Sequence, residues 1–382
     1  MMTSLTARQL VRASDLSRIA LGWGTFLAVV LAHPLLTAPA PAAALFVALV
    51  VIVAVILVCA FGVVTQAEAL AHRLGDPYGS LVLTLSIVLI EVILISAVML
   101  GPGEHATIAR DSVMAVSMII LNLVIGAALL AGGIRHRGLA HNRTGTSAYL
   151  SMLVVLVALA FGLPALIGRG GAFTVAQEIP IVVLTLALYA FFLYRQMGTQ
   201  STDFTEVSPL PRTAATGGSA PRVGIRRVLL EHRTEVLIRL TLLVVTVAPI
   251  VLLSHDMAAL LDDGLGRLGA PPALAGVLIA AIVFLPESIT TIRAALRGEA
   301  QRVVNLCHGA LVSTVGLTIP AVLVIGMLTG QTVVLAESPA NLLLLGVTLL
   351  LSVTTFAAKR TTATHGAAHL VVFAAYLIAL FS

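Results

Sequence analysis

The stretch "RLGDPYGSLVLTLSIVLIEVILIS", Arg73 to Ser96, returns later in the chain as "RLGAPPALAGVLIAAIVFLPESITT", Arg267 to Thr291. Each copy opens on Arg-Leu-Gly-x-Pro and then runs apolar until one carboxylate interrupts it, Glu91 in the first and Glu287 in the second. An acid in the middle of an apolar run of this length is costly to bury and marks a functional position. No basic residue lies within either run to neutralise it. Structural hydrogen bonding between helices is the competing explanation for a single such acid; its recurrence at the same place in a repeat favours function.

The surroundings set the class. Of 382 residues, 59% are hydrophobic and 10% charged, and the mean hydropathy is +1.07. Soluble domains carry about 25% charged residues. Apolar runs of about 20 residues, the length of a membrane-crossing helix, recur along the chain and exclude a β-barrel, whose strands would alternate over shorter segments. Eleven spans are expected: Ile19–Leu36, Ala43–Val64, Ser80–Leu100, Ser112–Gly132, Ala148–Gly168, Val175–Tyr194, Val236–Ser254, Leu274–Thr291, Val303–Leu328, Asn341–Ala357 and Ala367–Phe381. Cys59 and Cys307 fall inside spans, so neither a disulfide framework nor a zinc site is expected. The net charge of +5 reports topology rather than a nucleic-acid partner.

With the N-terminus in the cytoplasm, eighteen of the 22 Lys and Arg residues fall in cytoplasmic segments, and Arg110, Arg169 and Arg267 on the other side. Arg239 lies near a span end. This asymmetry predicts a cytoplasmic N-terminus, an external C-terminus and an odd number of spans in a bacterial inner membrane. Acidic Asp256, Asp262, Asp263 and Glu337 then lie outside. The two Arg-Leu-Gly-x-Pro motifs enter the membrane from opposite sides, the mark of inverted repeats. The expected fold is therefore all-α and polytopic, with two inverted five-helix repeats and one extra N-terminal helix. Its divisions are a leader with the first span (1–42), the first repeat (43–195), a Pro/Gly/Ser/Thr-rich cytoplasmic linker (196–235) and the second repeat (236–382).

The repeat continues beyond the acids. "NLVIGA", Asn122 to Ala127, matches "NLCHGA", Asn305 to Ala310, and a further glycine follows at Gly133 and Gly316. Each half thus offers one glutamate and one asparagine on successive helices. A carboxylate near the bilayer midplane takes either a proton or a cation. A site that accepts one or the other, but not both, couples their movements by competition, which is the minimal physics of an antiporter. Two converging carboxylates suit a divalent ion such as Ca2+, which seeks several oxygen ligands. Asn122 and Asn305 could supply amide oxygens, and Thr84, Ser288 and Ser313 hydroxyls; packing is the competing role for the amides, and hydrogen bonding to their own helix for the hydroxyls. His308, with Ile125 at the matching place, could relay protons. The repeated glycines are read as packing residues. No resident cofactor is expected beyond the transported ions. An intramembrane hydrolase, the rival of another class, would want metal spacing such as H-E-x-x-H, which is absent from the spans.

On these motifs the chain resembles the Ca2+/H+ antiporters of the cation/Ca2+ exchanger superfamily, most closely the bacterial ChaA-type branch. The resemblance rests on the paired glutamates, on the glycine at Gly79, and on "PES" at Pro286 to Ser288 followed by "GLTIP" at Gly316 to Pro320. It implies export of cytoplasmic Ca2+, in this branch also Na+ or K+, against incoming protons, with Glu91 and Glu287 as the essential acids and Asn305 and Ser313 in the polar region after the second. Many members carry Gly-Asn shortly before each glutamate; here those places read Ile87-Val88 and Val283-Phe284. Two amide ligands are thus missing, and a monovalent cation stays open beside Ca2+.

Overall fold

The computed structural model describes residues 11–36, 41–74, 106–207, 233–271 and 273–381, together with 85, 88, 89, 91–93, 95, 96 and 99. Thr84, Gly79, the first Gly-x-Pro turn and most of the expected linker lie outside the described residues. Among those described, ten helices are long and apolar enough to cross a membrane. They are α1 (Ala13–Leu36), α2 (Ala42–Leu74), α3 (Ile108–His136), α4 (Arg143–Ile167), α5 (Val175–Met197), α6 (Arg233–Arg267), α7 (Ala273–Arg297), α8 (Ala300–Thr329), α9 (Pro339–Ala357) and α10 (Ala363–Leu380). Glu91 lies in the remaining expected span, which is helical at every described position. The protein is thus an all-helical, multi-pass membrane protein.

Two helices outrun their expected spans. α2 continues past Val64 to Leu74, and α6 past Ser254 to Arg267. At 33 and 35 residues, each is about 50 Å long against a hydrocarbon core of about 30 Å. In α6 the extension holds because Met257, Leu260 and Leu261 form a buried stripe. Asp263 also receives a two-point ion pair from Arg267, one turn on, at 2.9 and 2.6 Å. Of the acids expected outside, Asp256, Asp262 and Asp263 are therefore helical, while Glu337 precedes α9. Leu45 near the start of α2 packs beside Gly264 near the end of α6, while Gln66 near the end of α2 accepts from Arg239 near the start of α6 at 3.1 Å. The first helices of the two halves are thus antiparallel, as inverted repeats require.

The interlock of the halves is reciprocal. Leu139, after α3, forms a two-way backbone bridge with Thr361, between α9 and α10 (2.9 Å each way). Val334, after α8, pairs with Ala172, between α4 and α5. Exchanging the halves turns one bridge into the other. One pair of repeated glycines obeys the same exchange: Gly133 of α3 meets the start of α10 at Ala363, and Gly316 of α8 meets Tyr189 of α5; Gly126 also meets α10, at Leu370, whereas Gly309 meets Tyr149 of α4. They are packing residues that let helices of opposite halves approach closely.

α1 is docked by a proline. Pro249 within α6 cannot donate to the carbonyl one turn earlier and leaves it free. That carbonyl, Val245 O, accepts from Trp23 Nε1 at 3.1 Å, and Gly22 admits the Pro249 ring beside it.

Candidate functional site

Glu287 stands on α7 immediately after Pro286. By the same proline logic the carbonyl of Ile282 is released one turn before it. Both Glu287 oxygens are buried without a hydrogen-bond partner among the described residues. The side chain lines a cavity of about 20 Å³ otherwise walled by apolar groups, among them Ile56, Ala60 and Val63 of α2 and Ile250 of α6. That is room for one water molecule or a bare cation.

Glu91 is also buried. Its Oε2 accepts from Thr314 Oγ1 of α8 at 2.6 Å, and its Oε1 has no partner. Both acids lie against α8: Glu91 meets it at Thr314, and Thr291, one turn from Glu287, meets it at Cys307. Among the described residues no basic side chain forms an ion pair with either. Two buried charges without a counter-ion cost several kcal/mol each, so the pair calls for neutralisation by protons or by a cation.

The helix faces around the pair follow from spacing. On α8, Cys307, Thr314 and Thr318 share one face. Cys307 Sγ donates to Thr291 Oγ1 of α7 at 3.9 Å, and Thr291 is one turn from Glu287. Thr318 Oγ1 is buried without a partner. Reading the sequence placed the site on α8 at Asn305 and Ser313 and missed Thr314. The repeat gave no signal, because the place matching Thr314, counted from each asparagine, is Ala131 in the first half.

The other expected residues point elsewhere. Asn122 sits in a π-helical turn, Ile119–Val124, within α3. Its Nδ2 donates to Thr348 Oγ1 of α9 at 2.8 Å, and its Oδ1 meets His369 Nδ1 of α10 at 3.2 Å. Its amide therefore ties α3 to the last two helices. Asn305 Nδ2 donates to Phe204 O at 2.7 Å, and its Oδ1 accepts from Gln301 Nε2 at 2.9 Å. Ser313 Oγ accepts from Tyr189 OH at 2.9 Å, and Ser288 Oγ donates to its own helix at Phe284 O, 2.7 Å. Asn122, Asn305 and Ser313 thus each commit an oxygen lone pair within the protein, whereas Ser288, as a donor, keeps its own. Thr84 lies outside the described residues. His308 is buried among aromatic rings, edge-on to Phe356 (centroids 5.0 Å apart) and stacked on Tyr149 (6.3 Å). It has no side-chain hydrogen-bond partner.

The start of the expected linker belongs to the fold. Residues Ser201–Phe204 form a single helical turn with Phe204 buried. Glu206 then caps α8: its Oε1 accepts from Gln301 N at 3.2 Å and its Oε2 from Arg302 N at 3.1 Å. Burial pushes the Glu206 carboxyl above the usual carboxylate range, against the opposing pull of these N–H donors. The free N–H groups of a helix start explain why an acid sits here.

Among the described residues no group of three or more His, Cys, Asp or Glu side chains could hold a metal ion. The arrangement among the described residues is a buried acid pair, with hydroxyl groups of α7 and α8 beside it and a small cavity at Glu287.

Comparison with known proteins bears on this arrangement. The chain is 34% identical over 321 residues to y4hA of Sinorhizobium fredii, covering 83% of this chain and 84% of that one. It is 32% identical over 329 residues to the sodium-potassium/proton antiporter ChaA of Escherichia coli, covering 86% and 87%. Among solved structures, native YfkE matches with a TM-score of 0.68 at 16% identity, covering 96% of this chain and 99% of that one. The H+/Ca2+ exchanger CAX matches with 0.67 at 14%, covering 96% and 89%. These two likenesses establish the fold. The model of the sodium/calcium exchanger protein family matches residues 44–198 and 238–382, and the chain, a cation exchanger of the ChaA-like kind, belongs to that family.

Proposed function

We propose that the protein is a secondary active antiporter that exports a cytoplasmic cation in exchange for protons, with Glu91 and Glu287 as the shared site. The observation that carries this reading is the pair itself: two buried carboxyl groups with no ion-pair partner among the described residues. Protons or a cation neutralise the pair, and the two compete. Exchange follows when the loaded site opens to one side and the proton-loaded site to the other, by helix movement between the halves.

The foremost cation is monovalent, Na+ or K+. Ca2+ takes six to eight oxygens, and the side-chain oxygens expected to complete such a shell at Asn122, Asn305 and Ser313 accept hydrogen bonds from other side chains. The name of the 32%-identical relative, a sodium-potassium/proton antiporter, agrees. Ca2+ export is the second reading. It is favoured by the double negative charge of the pair and by the H+/Ca2+ exchange named for a protein of the same fold.

Inside-out vesicles carrying the protein and an acid interior, followed with a pH-sensitive dye, test this directly. Addition of Na+, K+ or Ca2+ should release protons and restore fluorescence, and the ranking of cations decides between the readings. No response to any of the three would end the antiport proposal.

A further inference from the structure

We propose that the groove between α4 and α9 is a binding site for an anionic phospholipid. The groove has a volume of about 830 Å³ and runs from Arg143 past Ser147 and Ser151 to Val154 and Val155, with Val353 and Phe356 of α9 as the opposite wall. Positions 143, 147, 151 and 154–155 fall on one face of α4. The run from Arg143 to Val155 covers about 18 Å, against about 15 Å for half of a bilayer's hydrocarbon core. One acyl chain in one leaflet therefore fits the length.

The charge at its mouth selects the headgroup. Arg143 donates from Nη2 to Ala357 O at the end of α9, at 2.5 Å. A guanidinium has five N–H donors, so this contact fixes the side chain at the mouth and leaves donors for a phosphate. Lys359 and Arg360 follow two and three residues after Ala357 and are exposed. Arg135 and Arg137 at the end of α3 are exposed too, and Arg360 packs beside Gly138. None of these five cations takes part in an ion pair among the described residues. Ser147 and Ser151 are exposed, about 6 and 12 Å deeper than Arg143 along the helix. Ser147 is thus placed for the ester groups beneath a phosphate. A soluble anion would need the mouth alone; a zwitterionic phospholipid brings the same phosphate and esters but also a headgroup cation, which a basic mouth disfavours. The combination of basic mouth, hydroxyls below it and apolar depth matches a phospholipid with a net negative headgroup.

Native mass spectrometry of the full-length protein in neutral detergent, offered equal amounts of phosphatidylglycerol and phosphatidylcholine, provides the test. Retention of phosphatidylglycerol about fivefold above phosphatidylcholine is expected, the equivalent of one basic side chain at the surface. Arg143→Gln should remove that preference, and Arg143→Lys should keep most of it. Ser151→Phe, which fills the apolar part of the groove, should lower retention of both lipids. Equal retention of the two lipids by the native protein would overturn the proposal, as would retention unaffected by Arg143→Gln and Ser151→Phe. Displacement of phosphatidylglycerol by millimolar inorganic phosphate would reassign the mouth to soluble anions. A dimer that Ser151→Phe dissociates would assign the groove to a second copy of the chain.

Discussion

Thr314 Oγ1 donates to Glu91 Oε2 at 2.6 Å across 223 residues of sequence, whereas neither oxygen of Glu287 has a partner among the described residues. The two acids are equivalent in the repeat and unequal in the fold. Glu91 is anchored by a hydroxyl, and Glu287 faces a small cavity. Loss of the anchor should therefore act on the balance between protons and cations. Thr314→Val keeps the shape and removes the donor, leaving a buried carboxylate oxygen unsatisfied at about 1–3 kcal/mol. The expected result is a lower unfolding temperature and a displaced pH optimum of exchange in vesicles. Thr314→Ser should restore both, and an unchanged pH profile in the valine variant would remove Thr314 from the site.

Glu287→Gln separates charge from shape. The amide is nearly the size of the carboxyl and cannot exchange a proton for a cation. Cation-driven proton release should fall to the level of empty vesicles. Thermal stability should hold or rise, because an unpaired buried acid has been removed. Transport at the native level would exclude Glu287 from the mechanism.

Asn122 is predicted to stabilise the fold and not to bind the ion. Asn122→Ala takes one hydrogen bond each from Thr348 and His369, which keep Leu344 O and Thr355 Oγ1, and should cost about 1 kcal/mol per bond. The ranking of Na+, K+ and Ca2+ should not change. A changed ranking in a folded variant would make the amide a ligand after all.

The close approach of α3 and α10 leaves no room for a methyl group. A Cβ at Gly366 would collide with the backbone of Leu130 and Gly126. Gly366→Ala should destabilise by about 1–3 kcal/mol, as overpacking does, visible as a lower yield of monodisperse protein and a lower unfolding temperature. Gly346→Ala, where nothing lies within 4 Å, is the control expected to have no effect.

His141, in the turn between α3 and α4, is held below the usual histidine value by burial, against the opposing pull of the Phe356 carbonyl on Nε2 and with a smaller push from Arg143 in the same direction as burial. A depressed folded value means that the unfolded chain binds the proton more tightly. Its contribution is complete above the ordinary value of about 6.5 and is lost as pH falls through the lower folded value. Unfolding temperatures measured from pH 8 to 5 should drop on the acid side, and His141→Gln should flatten that limb. Identical acid limbs in both proteins would refute this account.

Much of the architecture was legible in residue order alone. Membrane residence, the spans and the inverted halves follow from apolar lengths, arginine placement and the repeated Arg-Leu-Gly-x-Pro, because transfer of backbone and charge into lipid constrains sequence locally. Glu91 and Glu287 stood out for the same reason. The neighbours of a side chain obey no local rule. Thr314 and Ser313 are adjacent, yet one faces Glu91 and the other Tyr189, since a step of one residue turns a helix by about 100°. Which partners Asn122 and Asn305 bond depended on which segments came to lie against them, and only the crossing of the two halves brought Thr348, His369 and Phe204 there. The inequality of the two acids has the same origin: repetition made them alike, and contact with a helix hundreds of residues away made them different.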